Sequence, residues 1–251
     1  MNDMSGVQPL LDVRHLSKSF GAVQALSDFS MVVRPGEVVA VAGDNGAGKT
    51  TLIKALSGVY RPTSGEIILR GAAVDFSSPQ EAREKGIETI YQDLALADNL
   101  TIGANIFLGR EPMRKAFGFL PVLDRAKMAE AAKSTMALLD FHVSRLDAPV
   151  SNFSGGQRQA VAIGRAVYWN AQILIMDEPT AALGVPEQRK VLSLIHQLKA
   201  QGRGVIFISH NLQDIFAVSD RIVVLRRGVM AGERRISETN HDEVVKLMIG
   251  G

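Results

Sequence analysis

The sequence predicts an α/β fold, in which a core of strands and helices carries an inserted helical segment. In the last third of the chain, short apolar runs typical of buried strands alternate with longer stretches of helical character. In the first third, further short strands are separated by turn-rich stretches. Residues 94–168 lie between these parts and are rich in helical patterns. We interpret them as an insertion within a single domain that spans residues 1–251.

The individual elements are predicted from local patterns. Residues 37–42 (EVVAVA) form an apolar run followed by glycine, as is typical of a buried strand. Residues 123–139 lack glycine and proline and are rich in alanine, methionine and leucine, which favours a helix. The remaining predictions are strands at 67–69, 89–91, 173–176 and 205–208, a helix near 187–200, and a hairpin formed by 222–225 and 229–231.

Composition excludes several classes of protein. Hydrophobic residues make up 46% and charged residues 22% of the chain, which excludes disordered, collagen-like and coiled-coil proteins. The 28 basic and 26 acidic residues leave a net charge of +2, which gives no electrostatic basis for nucleic-acid binding. The chain has no cysteine, so disulfides, thiolate metal ligands and cysteine nucleophiles are excluded.

The sequence contains no recognisable targeting or membrane-spanning segment. The first residues include acids and lack the basic start and long apolar stretch of a signal peptide. No apolar run approaches the roughly 18 residues that a membrane-spanning helix needs. We therefore expect a soluble protein. If it works at a membrane, something else must hold it there.

Residues 43–50 (GDNGAGKT) match the phosphate-binding pattern G-x-x-x-x-G-K-[ST] in full. The loop follows a predicted strand and opens a helix, so backbone N–H groups and the positive end of the helix dipole converge on phosphate oxygens. We expect Lys49 to neutralise the β- and γ-phosphates, Thr50 to ligate Mg²⁺, and Thr51 to donate to the α-phosphate. The predicted nucleotide-binding residues are Gly43, Asp44, Asn45, Gly46, Ala47, Gly48, Lys49, Thr50 and Thr51.

Polar residues also follow three of the predicted strands. The run ILIMDE delivers Asp177 and Glu178 to the carboxyl edge of a sheet, where open α/β sheets bind ligands. We expect Asp177 to hold Mg²⁺, directly or through water, and Glu178 to polarise the attacking water. The two carboxylates need different roles because unpaired like charges beside a triphosphate repel each other. Gln92 and His210 follow two other predicted strands, at positions from which a side chain can reach a γ-phosphate or its metal. Taken alone, a His at a strand end is more often a surface or capping residue.

A second candidate anion site occurs at residues 152–159 (NFSGGQRQ). Ser154 is a natural N-cap for the helix that follows, and Gly155 and Gly156 expose backbone amides at its start. Taken alone, S-G-G-Q is also typical of an ordinary loop-to-helix cap. The chain thus has two phosphate-type cradles about a hundred residues apart, with catalytic side chains at only one of them.

Together these motifs closely resemble those of the ABC-transporter ATPases. The P-loop, Gln92, the FSGGQ signature at 153–157, the ILIMDE strand and His210 appear in that family's order and approximate spacing, over nearly the whole chain. The resemblance implies a RecA-like P-loop NTPase core, an antiparallel β-subdomain near the N-terminus and a helical subdomain at 94–168 that carries the signature. It also implies a head-to-tail dimer, in which the signature of one copy completes the ATP site of the other through Ser154, Gly155, Gly156 and Gln157.

The resemblance assigns further roles and shows where the chain departs from the family. Phe20 falls where the family places an aromatic ring, most often Tyr, that stacks on adenine. His210 is expected to hold the γ-phosphate, and Gln92 to sense Mg²⁺. The signature begins with Phe153, where Leu is commoner. After the catalytic Glu the family often has S-A-L-D, whereas this chain has Gly184 in the last position, which removes a carboxylate that can couple the two sites.

Three stretches resemble the monosaccharide-import branch of the family: NIFLGREP at 105–112, EPTAALGVPEQ at 178–188 and FISHNL at 207–212. That branch often fuses two such domains, so a single domain implies a homodimer or a separately encoded second subunit. The implied function is ATP hydrolysis that energises sugar uptake through a separate membrane permease, at the cytoplasmic face of the membrane. An extracytoplasmic sugar-binding protein is the implied indirect partner. Residues 93–108 are the expected docking segment for the permease, and the alternative is that they form ordinary core and loop.

Two other functions remain open at this point. The same ATPase chemistry can drive an exporter. From a different class, the protein can be a soluble ATP-dependent switch that acts on ribosomes or DNA. Such relatives usually carry two cassettes, a long linker or a basic patch, and the sequence has none of these. A non-catalytic nucleotide-binding scaffold is disfavoured because Lys49, Asp177, Glu178 and His210 are all present.

Overall fold

The computed structural model describes residues 7–117, 119–141, 145–181 and 183–250, which form two compact units. The first unit comprises the described residues of 1–92, 171–179 and 195–251. The second comprises those of 93–170 and 180–194. Among these residues, no helix is long and apolar enough to cross a lipid bilayer.

The elements are numbered in chain order. The strands of the described residues are β1 (Leu11–Phe20), β2 (Val23–Val33), β3 (Val38–Ala42), β4 (Ser64–Leu69), β5 (Ala72–Val74), β6 (Ile87–Ile90), β7 (Met113–Ala116), β8 (Leu120–Leu123), β9 (Ile173–Asp177), β10 (Gly204–Ile208), β11 (Arg221–Arg226) and β12 (Val229–Arg235). The α-helices are α1 (Lys49–Leu56), α2 (Pro79–Glu84), α3 (Ile102–Phe107), α4 (Arg125–Leu138), α5 (Gly155–Tyr168), α6 (Val185–Ala200), α7 (Leu212–Val218) and α8 (His241–Ile249).

A six-stranded sheet forms the centre of the first unit, with the order β12-β11-β3-β10-β9-β6. All neighbouring strands are parallel except β12, which pairs antiparallel with β11. Strands β3 and β10 are buried along their whole length, which explains their continuous apolar sequences. Because the strands are parallel, β3, β6, β9 and β10 all end at the same edge of the sheet, and the candidate site lies there.

An antiparallel sheet with the order β2-β1-β4-β5 is the second layer of this unit. Leu11, Leu16 and Phe29 of this sheet are fully buried. They belong to the same apolar core as Val39 and Ile206 of the parallel sheet. Burial of this apolar surface between the two sheets stabilises the unit that carries the P-loop.

Helices α3, α4 and α5 of the second unit pack on one another through a small apolar core. Ile106, Met136 and Ile163 are buried there. Strands β7 and β8 form a separate two-stranded hairpin in the same unit, with Met113 opposite Leu123. The unit is therefore helical apart from this hairpin, as far as its described residues go.

A buried amide fixes the segment that precedes α3. The side chain of Asn105 has no exposed surface. Its Oδ1 accepts from the backbone N–H of Ala97 at 2.8 Å, and its Nδ2 donates to the carbonyl oxygens of Ala97 at 3.1 Å, Leu100 at 3.3 Å and Thr101 at 3.1 Å. These bonds hold residues 97–101 in one conformation.

The predicted α/β fold is confirmed, and the predicted strands and helices occur in the predicted order. One interpretation needs correction, because the segment 94–168 also contains the β7–β8 hairpin, which the residue patterns did not indicate. Its strands are only four residues long, too short for a recognisable period-two pattern. The strand predicted at 89–91 is β6, which begins at Ile87 and ends at Ile90, before Tyr91.

Candidate active site

The loop of residues 43–48 leaves β3 and leads directly into α1. Gly43 and Gly48 have φ angles of 154° and 107°. A Cβ atom at Gly43 would lie 2.3 Å from the carbonyl oxygen of Leu225, and one at Gly48 would lie 2.9 Å from that of Ala25. The surrounding backbone thus leaves no room for a side chain at either position, so the tight loop requires glycine at both.

Gly46 differs from the other two glycines in its surroundings. Its φ is 80°, but a Cβ atom there would meet no atom within 4 Å. Asp44, Asn45 and Gly46 are exposed. The loop therefore presents backbone to open space on this side, as a cradle for phosphate oxygens must.

The ammonium group of Lys49 is held by the carbonyl groups of the loop itself. Its Nζ donates to the oxygen of Gly43 at 2.5 Å and to that of Asp44 at 3.0 Å. A phosphate oxygen is a stronger acceptor for an ammonium group than a neutral carbonyl. The lysine is thus placed at the start of α1 with its charge directed into the loop. The hydroxyl-bearing Thr50, the next residue of α1, is exposed.

Glu178 follows β9 and lies beside the end of β10. Its N–H donates to the carbonyl oxygen of Ile208 at 2.9 Å, and its φ is 50°, a conformation that non-glycine residues rarely adopt. Its Oε2 lies 2.8 Å from Nδ1 of His210 and accepts a longer hydrogen bond of 3.4 Å from Oγ of the buried Ser209. The Glu178 side chain is 15% exposed and that of His210 is 74% exposed. The imidazole therefore contacts the carboxylate while most of its ring stays accessible.

The carboxyl group of Asp177 lies in an unfavourable environment. Its pKa is raised above the ordinary value for Asp, first because the group is half-buried and second because of the charge of Glu178. The charge of Lys49 acts in the opposite direction but does not cancel these effects. The P-loop lysine and the carboxylate of Asp177, at the end of β9, are therefore close enough to interact. Perturbed carboxyl groups of this kind are common at functional sites.

Gln92 and Phe20 belong to the same unit. Gln92 is exposed and comes two residues after the end of β6, which neighbours β9 in the sheet. Phe20, the last residue of β1, is 44% exposed, and its ring contacts that of Tyr60 edge-on with the centroids 5.1 Å apart. Nζ of Lys18 lies 5.1 Å from the Phe20 centroid. The exposed ring is thus held by two neighbours.

The signature residues belong to the second unit. Ser154 is the N-cap of α5 and forms a capping box with Gln157: its N–H donates to the Gln157 side chain at 2.9 Å. A Cβ atom at Gly155 would lie 2.7 Å from Cδ2 of Leu183, and one at Gly156 would lie 3.1 Å from Cβ of Glu187. The start of α5 therefore has little room for side chains, while Ser154 and Gly155 remain exposed.

An ion pair connects α5 to the segment that follows Gln92. The Arg158 guanidinium donates to Oδ1 of Asp98 at 2.5 Å. The backbone adds a second link, because the N–H of Ser151 donates to the carbonyl oxygen of Asp98 at 2.9 Å. The signature helix and residues 93–108 are thus directly bonded within one unit.

Sequence reasoning missed Ser209 and Tyr60. Ser209 lies between a predicted strand and His210, so its position alone was a signal that it borders the site. No local pattern marks Tyr60, which reaches Phe20 only through the fold. Among the described residues, no group of three or more His, Cys, Asp or Glu residues is arranged to hold a metal ion.

Comparison with known proteins identifies similar chains. The family model described as "ABC transporter" matches residues 26–181. The chain is 50% identical to the xylose/arabinose import ATP-binding protein of Sulfolobus acidocaldarius, over 95% of this chain and 93% of the relative. It is 46% identical to the fructose import ATP-binding protein of Rhizobium meliloti, over 88% of this chain and 86% of the relative.

Two further comparisons concern length and fold. The chain is 43% identical to a ribose import ATP-binding protein of Rubrobacter xylanophilus over 97% of its residues, but it spans only 48% of that relative. The crystal structure of a nucleotide-free ATP-binding cassette from an ABC transporter has the same fold, with a TM-score of 0.80 and 25% identity. The match covers 97% of this chain and 96% of that one.

Proposed function

The chain belongs to the ABC transporter family, as one of its ATPases, and from this premise we propose that it energises uptake of a monosaccharide through a separate membrane permease. The observation that carries the ATP-hydrolysis part of this proposal is the contact of 2.8 Å between His210 and Glu178, at the sheet edge where the P-loop lies. Similar chains that import different sugars support the substrate class.

ATP is bound by the P-loop and the exposed aromatic ring of the first unit. The backbone N–H groups around Gly46 and the ammonium of Lys49 receive the phosphates, and the dipole of α1 favours their negative charge. Phe20 stacks on the adenine with the face of its ring, which is partly exposed and held at its edge by Tyr60. Thr51 donates to the α-phosphate.

Hydrolysis requires a water molecule that attacks the γ-phosphorus and breaks the bond to the bridging oxygen of ADP. Glu178 orients this water and accepts its proton, while the exposed ring of His210 contacts the γ-phosphate. The hydroxyl of Ser209 holds the Glu178 carboxylate in place. The hydrogen bond to Ile208 holds the Glu178 backbone, whose φ is 50°. The products are ADP and inorganic phosphate.

The donor set fits Mg²⁺. Thr50, Gln92 and Asp177 supply oxygen atoms, the ligands that Mg²⁺ prefers, and phosphate and water oxygens complete its coordination. The raised pKa of Asp177 supports this fit, because a divalent cation favours the charged form that burial, and secondarily the charge of Glu178, disfavour. When bound, Mg²⁺ neutralises charge on the phosphate oxygens.

A second copy of the cassette completes the site. Ser154, Gly155, Gly156 and Gln157 contact the γ-phosphate bound to the opposite P-loop, and of these Ser154 and Gly155 are exposed whereas Gly156 is buried. The second subunit is another copy of this chain or a separately encoded cassette.

Residues 93–108 dock the permease and transmit nucleotide-driven movement to it. The segment follows Gln92, which senses Mg²⁺, and it is bonded to the signature helix by the Asp98–Arg158 ion pair. Asn105 keeps residues 97–101 rigid. The chain thereby works at the cytoplasmic face of the membrane, and an extracytoplasmic sugar-binding protein delivers the solute to the permease.

Affinity purification tests the transport role. Tagged Glu178→Gln protein is purified with ATP from detergent-solubilised membranes, and the proteins that accompany it are identified by mass spectrometry. Glu130→Gln, an exposed change on α4, is the matched control. We expect a polytopic permease and a sugar-binding protein with the Glu178 variant, and less of both with the control. A permease without any sugar-binding protein points to export, and ribosomal proteins alone refute transport.

A further inference from the structure

The β7–β8 hairpin carries two unusually exposed aromatic rings. Phe117 and Phe119, in the connection between the strands, are 90% and 80% exposed. Met113, Leu120 and Leu123 of the strands are exposed as well. Large apolar side chains on a soluble surface usually occur singly, so five of them in one short hairpin indicate a contact surface.

Both faces of the hairpin are apolar, and each carries a cation. Side chains alternate between the two faces along a strand. The pairing places Met113 and Lys115 on one face, and Arg114 and Leu120 on the other. Neither strand is buried along either face. A docking surface for a folded protein commonly uses one face of a hairpin. Here both faces are exposed and apolar, which suits a medium that contacts both of them.

The charge of the hairpin is uniformly positive. Residues 113–123 contain Arg114 and Lys115 and no acidic residue. Both cations are exposed. Apolar and aromatic side chains combined with exposed cations are the chemistry with which proteins bind the surface of an anionic lipid bilayer.

A strand from a second copy fits the hairpin less well. Pro121 has no N–H to donate at the β8 edge, and Arg114 and Lys115 place charge along β7. Proline and charged residues protect sheet edges from pairing with another chain.

We propose that Phe117 and Phe119 insert into the surface of an anionic membrane, with Arg114 and Lys115 beside the lipid headgroups. The chain thereby contacts the bilayer itself, in addition to the permease contact proposed above. A fluid lipid surface needs no complementary shape, so two rings and two cations suffice for weak, reversible binding.

Vesicle flotation tests the proposal with the full chain alone. The protein is mixed with vesicles of phosphatidylcholine, or of phosphatidylcholine and phosphatidylglycerol, at low and high salt. We expect binding to the anionic vesicles that weakens at high salt, and little binding to the neutral ones. Phe117→Ser/Phe119→Ser should lower the partition coefficient about tenfold or more. Leu138→Ser, which removes another exposed apolar side chain of the same unit, should not change it.

The two cations are tested with a matched pair of changes. Arg114→Gln/Lys115→Gln should weaken binding to the anionic vesicles and remove most of its salt dependence. Lys127→Gln/Lys133→Gln makes the same change in charge at exposed sites of α4 and should have a smaller effect. Equal losses in both variants would indicate nonspecific adsorption and overturn the proposal.

The depth of the contact is measured with a fluorescent label. Because the chain has no cysteine, Leu120→Cys provides a single labelling site on the hairpin, and Leu138→Cys provides the control. We expect brominated anionic lipid to quench a label at residue 120 and not at 138. No quenching, no binding by the unaltered chain, or equal binding by the Phe variant would overturn the proposal. The rate of ATP hydrolysis is measured on the same preparations. Because that rate does not depend on the hairpin, it shows whether the ATPase assignment fails independently of membrane binding.

Discussion

Nδ1 of His210 lies 2.8 Å from Oε2 of Glu178, although the two residues come from different strand ends. The parallel pairing of β9 and β10 brings them together, because Met176 is level with Phe207 and Asp177 with Ile208. The contact orients the carboxylate and leaves most of the imidazole exposed. We propose that the pair acts on the same γ-phosphate and water.

Removal of this imidazole tests the contact. His210→Ala should lower the turnover of ATP about 10²-fold or more, because a positioned catalytic group typically contributes 10²–10⁴ to the rate. The affinity for ATP should change less, since the P-loop remains intact. His196→Ala, at an exposed site of α6, is the control and should keep its turnover. Similar rates for both variants would remove His210 from the mechanism.

The P-loop is tested by a change that adds one methyl group. Gly46→Ala places a Cβ in open space on the side of the loop that we assign to phosphate. Gly202→Ala is a matched control, because Gly202 also has a positive φ of 78° and no atom within 4 Å of a Cβ. Both variants should lose a similar amount of stability, about 1–2 kcal/mol, because an L-residue is strained in the left-handed region.

Only Gly46→Ala should also lose affinity for ATP, and we expect a loss of at least tenfold in a fluorescent nucleotide titration. The methyl group occupies space that a phosphate oxygen needs, whereas Gly202 precedes β10 at the opposite edge of the sheet. Equal ATP affinities of the two variants would place the nucleotide elsewhere.

In the nucleotide-free protein, we expect the carboxyl group of Asp177 to lower the free energy of unfolding. The pKa of Asp177 is raised in the folded state, so the unfolded chain loses this proton more readily than the folded protein does. The free energy of unfolding therefore falls as pH rises from the pKa of the unfolded chain, near 3.9, through the higher pKa of the folded protein. Above that window the whole cost is present. Asp177→Asn should therefore raise Tm at neutral pH, by about 2–4 °C for each kcal/mol relieved, and give no gain in acid.

The same variant should lose stabilisation by MgATP, because Asp177 is proposed to hold the cation. Differential scanning fluorimetry with and without MgATP measures both effects. Asp75→Asn, an exposed change in the same unit, is the control. A lower Tm for Asp177→Asn without nucleotide would contradict the unfavourable environment of this carboxyl group.

Asn105 should be important for the stability of the second unit. Asn105→Ala removes four hydrogen bonds and leaves the backbone groups that they served without these partners. At about 0.5–1.5 kcal/mol for each bond, we expect a loss of about 2–6 kcal/mol. Urea unfolding compares this variant with Asn152→Ala, an exposed residue of the same unit. Equal stabilities would mean that residues 97–101 do not depend on the amide.

Local patterns predicted the parts of the site that a continuous motif carries. Gly43 and Lys49 follow from their spacing, because a tight phosphate loop needs glycine and a cation at fixed positions. Asp177 and His210 follow from their places after apolar strands. The parallel pairing then places both at one sheet edge, which the alternation of strands and helices already suggests.

The remaining features depend on tertiary contacts that no local pattern encodes. Tyr60 reaches Phe20, and Asp98 reaches Arg158, across long stretches of sequence. The left-handed conformation of Glu178 results from its position between two strands rather than from its residue type. The β7–β8 hairpin escaped prediction because its strands are short and exposed on both faces, so no alternation of apolar and polar residues marks them.

Hydrolysis and binding of ATP by Glu178→Gln test the assignment of the active site most directly. The amide keeps the size of the side chain but cannot accept the proton of the attacking water. ATP hydrolysis should fall about 10²–10⁴-fold, while ATP binding should match that of the unaltered chain. Hydrolysis close to that of the Glu130→Gln control, with normal ATP binding, would show that Glu178 is not the catalytic carboxylate.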